Sequence, residues 1–166
     1  MSLAIRRPSP TLPIYGLPVG LTEQNAEKFG PTEVAILEAV GPYLVRPPLD
    51  KLEFSACAAD TARTLVLEAL DRPQIVLVGM ETHICILQTA LDLVHAGRQV
   101  HVVADGVGAR SKAAHKNGLR RMEAAGVTIT NWESVCYEVA YRAGDENFRR
   151  MLNEVMKADV VVPALA

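Results

Sequence analysis

The feature that most constrains this chain is the alternation of short apolar, β-branched runs with longer segments of helical period. Residues 74–78 lie between Pro73 and Gly79 and read as a strand. Residues 84–96 follow as a helix, with Leu87, Leu91 and Val94 on one face and Gly97 as the stop. Residues 100–104 predict a second strand ending at Asp105-Gly106. Residues 112–125 predict a helix stopped by Gly126, and residues 127–130 a third strand. Two more helices are expected over 133–143 and 145–157, before a tail containing Pro163. Strands that alternate with helices in this way pair in parallel, with helices on both faces of the sheet. An α/β, three-layer α-β-α architecture is therefore expected. Functional groups in such sheets gather beyond the carboxyl ends of the strands, which singles out residues 79–85 and 105–110.

Upstream, Pro8, Pro10 and Pro13 disfavour helix and central strand alike, so residues 1–16 are expected to form an extended arm. Residues 17–166 then make one domain. Within it, residues 17–22 suit a buried strand, 33–40 a helix after Gly30-Pro31-Thr32, 50–55 a short strand or extended loop, and 58–70 a helix. With 166 residues, 49% of them hydrophobic, one core is what the chain can build. The formal net charge of -2 and the lack of a basic run argue against nucleic acid. No apolar stretch approaches the roughly 20 residues that span a bilayer, and no secretory pattern opens the chain. A cytoplasmic protein is expected. The three cysteines, Cys57, Cys85 and Cys136, match no metal spacing, and their odd number argues against a disulfide framework.

Cys85 falls in the first turn of a helix that directly follows a strand. Unpaired N–H groups and the positive end of the helix dipole lie there, and both favour a thiolate. The same N–H groups could hold an oxyanion. The alternative is a structural thiol, the commoner fate of a cysteine. Cys57 and Cys136 follow no strand, and Cys136 reads as core. His83 could orient a substrate or cap the turn. His95, His101 and His115 read as structural or exposed. Gly106-Val107-Gly108 lacks the third glycine of a dinucleotide loop and reads as a plain turn.

The run Val78-Gly79-Met80-Glu81-Thr82-His83-Ile84-Cys85-Ile86-Leu87-Gln88-Thr89-Ala90 resembles the cysteine segment of the isochorismatase-like hydrolases, in particular the isochorismatase domain-containing, YcaC-like group. Pro18-Val19-Gly20-Leu21-Thr22-Glu23-Gln24, Lys51-Leu52-Glu53-Phe54-Ser55-Ala56 and the segment from Val102 to Arg110 match in the same order. The resemblance implies a Rossmann-like six-stranded parallel sheet of order 3-2-1-4-5-6 and a cysteine hydrolase acting on a small-molecule amide or related C–N or ether bond. It places the nucleophile on Cys85 and its lysine on Lys51. The oxyanion donors fall on the backbone N–H groups of Glu81 and Cys85, beside a cis peptide between Met80 and Glu81. Glu23 may be read as a substrate contact or as a cap, and His83 as a second possible contact. No metal or other cofactor is implied, and a homodimer or larger homo-oligomer is.

One part of the resemblance is missing. The family aspartate ends the first strand, and the first aspartate here is Asp50. Residues 17–22 correspond to the second family strand, so the first is expected to be absent and to leave a strand-wide gap near 4.8 Å on each side. An omitted segment, a truncated start or a strand from another chain would each account for this. Two functions stand at this point: a hydrolase, or a catalytically impaired relative that serves as a binding or scaffold protein.

Overall fold

The structure, a computed structural model, describes residues 14–58 and 72–153. In chain order the elements are β1 (Thr22–Gln24), α1 (Ala26–Phe29), α2 (Val34–Val40), a 3-10 turn (Gly41–Tyr43), β2 (Leu49–Lys51), β3 (Gln74–Met80), a π-type turn (Thr82–Ile86), α3 (Leu87–His95), β4 (Gln99–Gly108), α4 (Lys112–Ala124), β5 (Thr128–Thr130), α5 (Trp132–Ala140) and α6 (Glu146–Met151). The helix expected over 58–70 lies, apart from Ala58, outside the described residues, as do most of the arm and the chain beyond residue 153. Among the described residues, no helix is long and apolar enough to cross a membrane.

Among the described residues, all strand pairs are parallel. β1 pairs with β2, with Gln24 opposite Lys51, and β3, β4 and β5 pair in that order. In the order 3-2-1-4-5-6 these would be strands 3-2 and 4-5-6. The break between the two sheets therefore falls where the first family strand belongs, as expected from the sequence. The strand expected over 17–22 begins later, at Thr22, and its earlier part contributes one isolated bridge from Val19 to Leu44.

The core lies between β3–β4 and the helices α3 and α4. Leu87, Ala90 and Leu93 of α3 meet Ile75, Val100, Val102 and Met122. The helical period holds, but the buried stripe runs through Leu87, Ala90 and Leu93 in place of the expected Leu87, Leu91 and Val94, and Leu91 and Val94 are only partly buried. Burial of both strand faces, expected throughout, holds for β4, where Val102 and Val103 are both buried. It does not hold for β3. Ile75 is buried, yet Val76, Val78 and Met80, on the opposite face, are 42%, 50% and 42% exposed. A second cluster joins Ile14 to Cys136, Ala140 and Met151, so the end of the expected arm is packed, and Ile14 is helical rather than extended.

The starts of α4, α5 and α6 are set by side-chain caps. Ser111 Oγ accepts from Ala114 N–H at 3.1 Å, Asn131 Oδ1 from Ser134 N–H at 2.8 Å, and Asp145 Oδ1 from Phe148 N–H at 2.7 Å. β4 corrects the expectation most clearly. It runs through Asp105-Gly106 to Gly108 instead of turning there. A bulge makes this possible: Leu77 pairs with Val102 but Gly79 pairs with Val107, so β4 carries the extra residues. A Cβ at Gly106 would lie 3.0 Å from Val103 and 3.2 Å from Val78 side-chain atoms, so a larger residue there would press on both valines. Gly106-Val107-Gly108 is thus strand, neither plain turn nor phosphate loop.

Candidate active site

β1, β2 and the turn after β3 converge on Cys85. Gln24 and Lys51 are direct partners across the parallel ladder, so their side chains leave the sheet on the same side. Lys51 is 6% exposed. Its Nζ donates to Gln24 Oε1 at 2.6 Å, to Glu53 C=O at 2.9 Å and to Phe54 C=O at 3.1 Å, which uses all three donors of an ammonium. Gln24 Nε2 donates to Leu52 C=O at 2.7 Å, fixing the amide so that its oxygen faces the lysine. The Cys85 sulfur lies 4.0 Å from the same Gln24 Oε1. Burial pushes the Lys51 ammonium below the ordinary lysine value, while negative charge at Cys85, Glu53 and Asp50 opposes that shift.

Cys85 is half-buried, like Cys57, whereas Cys136 is fully buried; none of the three forms a disulfide. Cys85 sits in the π-type turn that leads into α3, two residues before the α-helix begins. The Glu81 carbonyl closes this turn by accepting from Ile84 N–H at 3.0 Å and Ile86 N–H at 3.3 Å. The Met80–Glu81 peptide is cis. The Glu81 carboxylate points to the other side and is gripped by Arg110. Arg110 Nη2 is 2.8 Å from Glu81 Oε1, Arg110 Nε is 3.1 Å from Oε2, and the Arg110 N–H donates at 3.3 Å. This hydrogen bonding with Arg110 holds the Glu81 carboxyl below its usual range. The two segments expected at the strand ends are therefore joined, through a residue the sequence reading had left without a role.

His83 Nδ1 is 3.6 Å from Glu81 Oε2, too long for a hydrogen bond, and is buried without a hydrogen-bond partner. The Glu23 carboxylate accepts from Thr32 N–H at 2.7 Å, so capping of the Gly30–Thr32 loop is the role the geometry displays. Gln24 was missed as a site residue. Its pairing with Lys51 depends on a register between segments 27 residues apart, and only the adjacency of Glu23-Gln24 to a strand end hinted at it. Behind the turn, His115 Nδ1 meets Thr82 Oγ1 at 3.0 Å, and burial lowers the His115 pKa. Among the described residues, no group of three or more His, Cys, Asp or Glu side chains is placed to hold a metal ion.

Comparison with known proteins agrees with this architecture. The isochorismatase domain family model matches residues 10–134. The secreted isochorismatase effector Isc1 of Phytophthora sojae is 31% identical over 87% of this chain and 70% of its own. Isochorismatase domain-containing protein 1 of Danio rerio is 36% identical over 84% of this chain, which spans about half (48%) of that relative's length. The structure of the MAR1 ribonuclease from Caenorhabditis elegans superposes with a TM-score of 0.79 at 29% identity, covering 92% of this chain and 78% of that one. With a family model over most of its length and a relative above 30% identity, this chain belongs to the isochorismatase family of hydrolases.

Proposed function

We propose that the protein is a cysteine hydrolase of small-molecule amides or related C–N or ether bonds, with Cys85 as nucleophile and Lys51 as its charged partner. The observation that carries this reading is the shared contact on Gln24 Oε1, which brings an ammonium with all three donors engaged to a half-buried sulfur at a helix start. Attraction between the two favours the ammonium–thiolate pair. For an amide, the sulfur attacks the carbonyl carbon, forming a C–S bond as the carbonyl π pair moves to oxygen. The backbone N–H groups of Glu81 and Cys85 receive that oxyanion. Its collapse expels the amine, which takes the proton it needs from solvent water, and a second water releases the acid from the thioester and returns the thiolate. His83, two residues before the sulfur, is the candidate substrate contact, Glu23 caps the Gly30–Thr32 loop, and the chain works as a homodimer or larger homo-oligomer in the cytoplasm.

Limiting iodoacetamide at neutral pH, followed by peptide mass spectrometry, tests the nucleophile. Cys136 is shielded in any case, so Cys57, equally half-buried, is the informative comparison. Labelling of Cys85 well ahead of Cys57 supports the reading, and equal, slow labelling removes it.

A second reading, a relative that binds without turnover, is favoured by one detail. Among the described residues, the side chain that accepts from the sulfur is an amide, whose oxygen accepts a hydrogen bond but does not carry a proton away. Incubation with p-nitrophenyl acetate separates the two. An acetyl adduct on Cys85 that forms and decays supports the hydrolase, and one that persists supports the binder.

A further inference from the structure

We infer that Thr89 and Asp92 are positioning residues that hold Lys51 in place against Cys85 through the loop of residues 52–57, an inference that rests on the reading of Cys85 and Lys51 above. Cys85, Thr89 and Asp92 are spaced by four and three residues, so they share one side of the turn and helix. Thr89 is buried on that side and Asp92 is exposed at its far end, and both side chains reach the same loop.

Thr89 is buried, and its Oγ1 accepts from the buried Ala56 N–H at 2.9 Å. Asp92 Oδ2 accepts from Ser55 Oγ at 2.5 Å, and Ser55 Oγ in turn accepts from Cys57 N–H at 3.1 Å. Ser55 is 3% exposed. Two residues that are next to each other in the loop are thus tied to two sites one turn apart on α3, which leaves the loop neither sliding nor rotating freedom.

The consequence is felt one residue earlier. Glu53 C=O and Phe54 C=O are two of the three acceptors that hold the Lys51 ammonium, and Leu52 C=O orients Gln24, the third. All three carbonyls belong to the stretch that the Thr89–Ala56 and Asp92–Ser55 bonds pin. The helix that presents the sulfur at its start therefore also sets, seven residues later, where the opposing charge stands. Nucleophile and cation are referred to one rigid element, although they come from different sheets.

The readout must report charge at the sulfur, not folding. The ratio of Cys85 alkylation by iodoacetate to that by iodoacetamide does this, because the anionic reagent is drawn by a nearby cation and the neutral one is not. The thiolate fraction cancels in the ratio. Full-length wild type, Lys51→Met, Thr89→Val and Thr89→Ser are compared at pH 7.5 by peptide mass spectrometry. Lys51→Met is expected to lower the ratio about fivefold, the effect of one unit charge a few ångströms away in a half-solvated site. Thr89→Val keeps the volume but removes the acceptor, and lowers the ratio about twofold. Thr89→Ser restores it. Should Thr89→Val fail to fold, Asp92→Ala, which cuts the more exposed tie, is expected to give the same twofold loss. A normal ratio in Thr89→Val or in Asp92→Ala beside a lowered one in Lys51→Met overturns the positioning role alone. An unchanged ratio in Lys51→Met overturns the pairing of Lys51 with Cys85, and the inference with it.

Discussion

Replacing Gly118 by alanine tests whether α4 truly braces the turn that carries Cys85. An exposed glycine in a helix gains about 1 kcal/mol on conversion to alanine. Gly118 is buried against the π-type turn. A Cβ there would lie 3.0 Å from Thr82 O, 3.1 Å from His83 Cα and 3.2 Å from His83 N. All three are backbone atoms, and their turn is already closed by two hydrogen bonds to the Glu81 carbonyl and one contact from His115 to Thr82. It cannot yield as a flexible side chain would. Overpacking of this kind costs about 1–3 kcal/mol, so the net effect is a loss of about 1 kcal/mol. In a domain of this size that lowers Tm by about 2–4 °C. Thermal unfolding followed by circular dichroism measures it directly. The iodoacetamide rate at Cys85 should fall as well, since Thr82 and His83 lie in the same turn, three and two residues before the sulfur. A variant that melts higher than wild type, with unchanged labelling, would refute the close packing inferred here.

Three further outcomes follow from charge. The Lys51 ammonium, whose pKa burial pushes below the ordinary lysine value of 10.5, should lose its proton early as pH rises. The iodoacetate preference of Cys85 then fades below pH 10.5 in wild type and persists in Lys51→Arg, whose guanidinium stays charged. For His115 the folded pKa lies below 6.5, so the unfolded chain binds more protons in that window. Stability should drop as pH falls below 6.5 and level off beneath the folded pKa, and urea titrations of His115→Gln should show a flatter slope there. Glu81 has the opposite chemistry and the same sign. Its carboxyl is depressed below 4.5 by Arg110, so its contribution is present above that value and lost as pH falls through the folded pKa. Arg110→Met should remove this acid-range dependence while leaving the His115 dependence below pH 6.5 unchanged.

What the sequence determined by itself was local. Hydrophobic period separated strands from helices, and Gly97 and Gly126 marked two stops because each holds a positive φ that other residues resist. The resemblance put a cysteine at a helix start and a lysine on a short strand, and the break between the two sheets fell where a strand was expected to be missing. The tertiary structure decided the rest. Gly118 looks like a weak point in a helix until the turn beside it is seen. Gly106 looks like a turn until the bulge carries β4 past it. Gln24, Thr89, Asp92 and Arg110 acquire roles only through partners 27 to 61 residues away. Period and propensity report on neighbours along the chain. Which side chains share a site depends on strand register and on the angle at which a helix meets a sheet, and those are settled only when the whole core is packed.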